Sequence, residues 1–288
     1  MSETIMSNTY SEEELKKLHS HLYDILAEFV RICDELGIEY FLLGGSIIGA
    51  YYWKGIIPFD DDIDVGMTRH NYERFIHEAP QLLDHHFFLQ SFASEPHTPY
   101  YFAKLRRNDT EFIEETTHNT PIHQGIFIDI MPLDKLPEKP LWRYLQRKLA
   151  NTLNDCFVAK EIWRYKHLGG CEIEKAIPHS WFNCLINKTT KLFVPKRWIF
   201  YALRFVQTAW NKTNATYYNT IPPCCDLISA EDVAHLIRVP FGPLTVFVME
   251  NMETYLHHHY PTLKKHLSKA EIARYSHRPQ KLTFVEQE

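Results

Sequence analysis

Apolar residues recur at three- and four-residue steps from Leu15 through Leu18, Leu22, Ile25, Leu26, Phe29 and Cys33. This spacing predicts a helix over 11–36 with one core-facing stripe. Ser11 and Glu14 have capping-box spacing at its start, and Gly37 stands where a left-handed cap would end it. Short apolar runs then predict strands over 38–43, 62–67, 87–91, 100–107, 110–114 and 125–131. Between them a short helix is predicted over 46–54, and an amphipathic one over 69–84 with Tyr72, Phe75, Ile76, Ala79, Leu82 and Leu83 on one face. Together these elements predict an α/β (α+β) class, a mixed sheet flanked by helices. Past residue 134 strand signals thin. Segments rich in Trp, Leu, Lys and Arg predict helices over 141–165 and 189–211, and Ser229 with Asp232 caps a short helix. The proline-punctuated stretch 132–140 therefore divides the chain into a core, 1–134, and a mainly helical region, 135–288.

The densest chemistry lies in Pro58-Phe59-Asp60-Asp61-Asp62-Ile63-Asp64-Val65. On a strand the period of two puts Asp62 and Asp64 on one face and Ile63 and Val65 on the other, toward a core. Two carboxylates in one small volume raise each other's pKa unless a cation is present, and hard oxygen ligands suit Mg²⁺ or Mn²⁺. A solvated acidic loop is the plainer reading of such a cluster taken alone. The upstream turn Leu43-Gly44-Gly45-Ser46 changes the balance, because glycines allow close approach and a helix opening at Ser46 offers free N–H groups to an anion. A metal-dependent phosphate site is expected.

A third carboxylate, Asp129, interrupts the apolar strand Gly125-Ile126-Phe127-Ile128-Asp129-Ile130-Met131. A carboxylate between isoleucines is costly unless it is paired or metal-bound, and capping a turn or pairing with an arginine remain open for it. Lys104 and Arg106, two apart on a strand, share a face that is equally well a donor-phosphate contact or a solvated basic edge.

The segments from Phe41 to Ala50 and from Lys54 to Met67, with Lys104-Leu105-Arg106 and the run from Gly125 to Asp134, resemble the LicD family of phosphotransferases in order and rough spacing. Tyr255-Leu256, Tyr260-Pro261 and His277-Arg278-Pro279 resemble that family's C-terminal end weakly. The resemblance implies a nucleotidyltransferase-like fold in which Asp62, Asp64 and Asp129 converge on a divalent metal, Mg²⁺ or Mn²⁺. It also implies a donor site built from Gly44, Gly45, Ser46, Lys54, Lys104 and Arg106. The implied reaction moves phosphocholine from CDP-choline to a sugar hydroxyl of a bacterial surface glycan and releases CMP. Other CDP-linked alcohols, true nucleotidyl transfer, or an inactive binding module would use the same fold. One departure stands out: family members commonly carry Arg and His where this chain has Tyr52 and Trp53. Trp53 could then serve a cation–π surface for a quaternary ammonium, although a single aromatic beside a helix is more often core.

Composition narrows the partners. A formal net charge of −5 gives no positive excess for a nucleic-acid backbone. Cys33, Cys156, Cys171, Cys184, Cys224 and Cys225 have no zinc spacing and no disulfide framework, which fits reduced thiols in a cytosol. Neither a leader pattern nor an apolar run long enough to span a bilayer is evident, so a cytoplasmic protein is expected. His257-His258-His259, Asp84-His85-His86 and His179 with Cys184 read as solvated groups, since consecutive helical positions cannot face one ion. The basic, aromatic stretch 191–210 suits either a core helix with snorkelling lysines or a helix in a membrane interface, which would bring the enzyme to a lipid-linked acceptor.

Overall fold

The computed structural model describes residues 10–169, 193–221, 227–260 and 278–284. Helix α1 (Glu12–Leu36) opens on the expected capping box, with Ser11 Oγ accepting from Glu14 N–H and the Glu14 carboxylate accepting from Ser11 N–H, and closes at Gly37 with φ +60°. Its stripe is buried from Leu18 to Cys33. The sheet laid against it contains β1 (Phe41–Leu42), β2 (Asp64–Thr68), β3 (Phe87–Gln90), β4 (Ala103–Arg107) and β6 (Phe127–Lys135), in the order β1-β2-β6-β4-β3. Only β2 and β6 run parallel, so the sheet is mixed. Between the first two strands lies α2 (Gly44–Trp53), and α3 (Arg69–Glu78) follows β2.

Three departures from the expected elements have simple causes. Helix α3 gives way at Ala79 to a single 3₁₀ turn containing Pro80, which lacks the N–H that an α-helix needs there. Strand β6 runs through Pro132 to Lys135, where the sequence pattern stops at Met131. The proline is tolerated because pairing with β4 ends at Ile130, while β2 continues in register to Leu133. Residues 236–249 form a hairpin, β9 (Leu236–Phe241) and β10 (Leu244–Met249), inside a stretch expected to be mainly helical.

That hairpin joins the main core. Phe241, Val246, Val248 and Met249 are buried in one cluster with Leu22, Phe29, Phe41 and Val65, so this cluster draws on both sides of residue 134. The remaining elements are β5 (Glu111–Ile113), α4 (Pro140–Gly169), α5 (Lys196–Thr208), β7 (Tyr217–Asn219), β8 (Ile228–Ser229), α6 (Ala230–Ala234), α7 (Met252–His259) and β11 (Lys281–Thr283). Helices α4 and α5 pack together through Ala150, Leu203 and Val206. No helix among the described residues is long and apolar enough to cross a membrane.

Candidate active site

The glycine turn and the acidic run fold back on each other because β1 and β2 pair antiparallel on either side of α2. Asp64 opens β2 rather than following Asp62 along it, yet the alternation survives: Ile63 and Val65 are fully buried while Asp62 and Asp64 stay half-buried on the opposite side. Asp64 N–H donates to Ser46 Oγ at 2.9 Å, and Leu43 N–H donates to the Asp64 carbonyl at 3.0 Å. In the parallel register Asp64 lies opposite Asp129, whose own N–H donates to the Ile63 carbonyl at 2.9 Å.

Glycine at both positions lets the carboxylates approach this turn closely. A Cβ on Gly44, itself at φ +52°, would stand 3.1 Å from Asp64 Oδ2, and one on Gly45 would meet Asp60 Oδ2 at 2.6 Å. The carboxylates therefore lie directly over the start of α2. Ser46 N–H already donates to the Leu43 carbonyl at 3.0 Å, which leaves the Gly44 and Gly45 N–H groups to carry the positive end of the helix dipole toward a ligand.

Charge is crowded here beyond what Asp62 and Asp64 alone suggest. Carboxylate oxygens of Asp60, Asp61 and Asp62 lie within 4.8 Å of one another. Burial, reinforced by Asp61, pushes the Asp60 carboxyl up to about 7. Asp62 is held well above the usual carboxylate range by burial first, then by Asp64, Asp60, Asp61 and Asp129. Asp129 is raised by burial and drawn back by the Lys104 ammonium, 2.8 Å from its Oδ1. That oxygen is buried and, apart from this ion pair, has no hydrogen-bond partner among the described residues. Several half-neutralised carboxylates around one volume fit a hard divalent cation, whose charge would let all of them ionise.

The structure brings Asp62, Asp64, Asp129, Gly44, Gly45, Ser46 and Lys104 into one neighbourhood. Lys104 and Arg106 do share a face, both over the Phe127 ring, at 3.4 and 4.7 Å from its centroid. Lys104 also lies 4.4 Å from the Tyr100 ring centroid. Arg106 is fully buried and donates from Nε to Gln90 Oε1 at 2.8 Å and from a terminal nitrogen to the Gly125 carbonyl at 2.7 Å. Trp53 and Lys54 stand at the other end of α2, roughly 15 Å of helix from Gly44. Trp53 packs half-buried on the main core, edge-on to Tyr52 at 5.7 Å, and the exposed Lys54 caps the helix in the left-handed region.

Four further residues adjoin the site. Asp60 and Asp61 belong to the acidic run, and their fit against the turn depends on the return from α2. Tyr10 Oη donates to Asp61 Oδ2 at 2.6 Å. Arg278 lies 5.6 Å from the Tyr10 ring centroid and pairs with Glu14 at 2.7 Å. Sequence separations of 51 and 264 residues hide these contacts from any local pattern. Asp84, His85 and His86 also bring ligand atoms together, but all three are exposed. His179 and Cys184 lie outside the described residues.

A mixed sheet with a glycine turn at the head of a helix, and carboxylates paired across adjacent parallel strands, defines a nucleotidyltransferase-like fold. Residues 37–142 match the LicD/FKTN/FKRP nucleotidyltransferase domain, so the chain carries a LicD-family domain. The lipopolysaccharide cholinephosphotransferase LicD of Haemophilus influenzae is 34% identical over 175 residues, covering 58% of this chain and 62% of that one. An uncharacterized protein of Rickettsia typhi is 33% identical over 130 residues, 45% of this chain and 40% of its own. Another, from Rickettsia prowazekii, is 34% identical over 65 residues, 20% of this chain and 24% of its own. The chain thus spans less than two thirds of the length of each of these relatives.

Proposed function

We propose that the protein is a metal-dependent phosphotransferase. It moves phosphocholine from CDP-choline to a sugar hydroxyl of a bacterial surface glycan (lipopolysaccharide, lipooligosaccharide or teichoic acid) and releases CMP. The observation that carries this reading is the pairing of Asp64 with Asp129, beside Asp62, over the glycine turn of a LicD-family domain. The Haemophilus relative's name supplies the group transferred.

Asp62, Asp64 and Asp129 would hold the cation, with Asp60 beside them. Mg²⁺ or Mn²⁺, once bound, neutralises charge on the donor diphosphate and on the departing CMP. The chain's own part is positioning and electrostatics, which dominate phosphoryl transfer. The free N–H groups at Gly44 and Gly45 face a donor phosphate, and Ser46 keeps Asp64 in place through its backbone N–H. Lys104 holds Asp129 at a fixed position and partly offsets its burial. The acceptor oxygen attacks the phosphorus distal to the cytidine, the bond from that phosphorus to the CMP oxygen breaks, and the hydroxyl proton leaves to a site carboxylate or to water. Residues 135–288 complete the acceptor side, and the enzyme works in the cytoplasm, in peripheral contact with the membrane that carries a lipid-linked acceptor.

Incubation with Mg²⁺, CDP-choline and a glycan acceptor tests this directly. Release of CMP with choline appearing on the glycan is the expected result. Pyrophosphate released from a nucleoside triphosphate would instead establish nucleotidyl transfer, and binding without turnover would establish an inactive module. CMP release from another CDP-alcohol but not from CDP-choline would move the donor assignment.

A further inference from the structure

Helices α4 and α5 each bury one face and leave a second apolar face in water. On α4 the outward stripe is Leu141, Leu145 and Leu149, while Gln146 and Ala150 turn inward. On α5 it is Trp198, Tyr201 and Phe205, while Ile199, Leu203 and Val206 are buried. Exposure reaches 66% at Leu141, 64% at Trp198 and 75% at Phe205. Scattered surface hydrophobics are ordinary, but two stripes at helical spacing on neighbouring helices are not. Gln146 Nε2 donates to the Val206 carbonyl at 3.0 Å, so the Leu145 turn of α4 lies level with the Phe205 turn of α5.

Charge selects the partner. Residues 140–153 and 193–210 contain Lys and Arg but no Asp or Glu, in a chain whose formal net charge is −5. Arg147, Lys148 and Arg197 flank the apolar stripes. A second copy docking through the same face would oppose base to base, whereas an anionic lipid surface complements it. Aromatic and aliphatic side chains with basic flanks are also the composition of helices that lie in a bilayer interface.

We propose that the paired outer faces of α4 and α5 form a platform that rests on an anionic membrane surface, its apolar side chains entering the headgroup boundary. The proposal builds on transfer to a membrane-borne glycan and extends the interfacial surface beyond the 191–210 segment to α4. Its test needs neither donor nor metal.

Flotation of the full chain with phosphatidylcholine vesicles containing phosphatidylglycerol should carry the protein upward. Salt should weaken that binding, and vesicles of phosphatidylcholine alone should recover much less. Leu145→Glu and Phe205→Glu should each lower the partition coefficient by about tenfold or more and leave the melting temperature unchanged, because both side chains already stand in water. Wild-type protein left unbound by both kinds of vesicle would overturn the proposal, as would vesicle binding indifferent to both substitutions. A concentration-dependent dimer that Phe205→Glu dissociates would assign the face to a second copy and equally overturn it. Vesicle binding without any transfer activity would defeat the proposed reaction and leave the platform standing.

Discussion

Where β2 and β6 begin, the protein crowds five carboxylates, Asp60, Asp61, Asp62, Asp64 and Asp129, into a largely buried volume. At the α4/α5 face it leaves leucines, tyrosine, tryptophan and phenylalanine in water. Both regions break the usual rule of apolar inside and charged outside, in opposite directions. The first is held by a rigid frame: paired strands, the Ser46 bridge and the Lys104 ion pair keep the carboxylates close although they repel. The second needs no frame beyond the helices themselves, because exposing an apolar side chain costs the fold nothing further. Like charges buried together constrain their surroundings, whereas apolar surface left open only waits for a partner. Substitutions should separate the two regions accordingly.

The largest effect is expected where the acidic site meets the core. Ile63 is fully buried between two of the carboxylates, so Ile63→Asp adds an uncompensated buried charge worth about 3–5 kcal/mol. Circular dichroism should show a lost or sharply lowered thermal transition. Asp62→Asn and Asp64→Asn work the other way. Each should lower CMP release by about a hundredfold or more while the melting temperature of metal-free protein holds or rises. Near-normal turnover in either variant would contradict the metal assignment.

Next comes the effect of pH and metal. The Asp60 carboxyl rises from 3.8 to about 7 on folding. The folded protein therefore keeps this proton at pH values where the unfolded chain has lost it. Metal-free stability is then greatest below the ordinary carboxylate range and declines as pH climbs toward about 7, and Asp62 pulls in the same direction. Mg²⁺ should raise the melting temperature near about pH 8 and hardly at about pH 4. An equal metal effect at both values would mean that these carboxylates do not hold it. The smallest change belongs to the other face: Phe205→Ser should shift stability by no more than about 0.5 kcal/mol in denaturant titration. A larger loss would mean that this face is covered by the protein itself.

Much of this was legible in the residues. The stripe of α1, its capping box and the Gly37 cap follow from spacing alone. So does the shared side of Asp62 and Asp64, since Ile63 and Val65 had to point inward. The hairpin at 236–249 had its signal too, a Gly242-Pro243 turn between β-branched and aromatic residues, but Pro240 weakens the first strand as a prediction. Lys104 beside Asp129 follows from register: the two are directly opposite across β4 and β6, a pairing that emerges only once those strands lie together. Tyr10 and Arg278 reach the site through tertiary closure, which no local pattern encodes.

Strand β6 also ties distant parts of the molecule together. Asp129 stands near its start in the acidic site, and five residues along Asp134 grips Arg69 of α3 and Asn211 just past α5. Five residues of extended strand measure about 16 Å, and a strand hydrogen-bonded on its flanks neither stretches nor hinges. The acidic site is thus mounted at a set height from the helical layer, like a tool on a fixed arm. If the proposed platform does rest on the membrane that carries the acceptor, which sugar receives the group would be a matter of reach, set by the length of one strand.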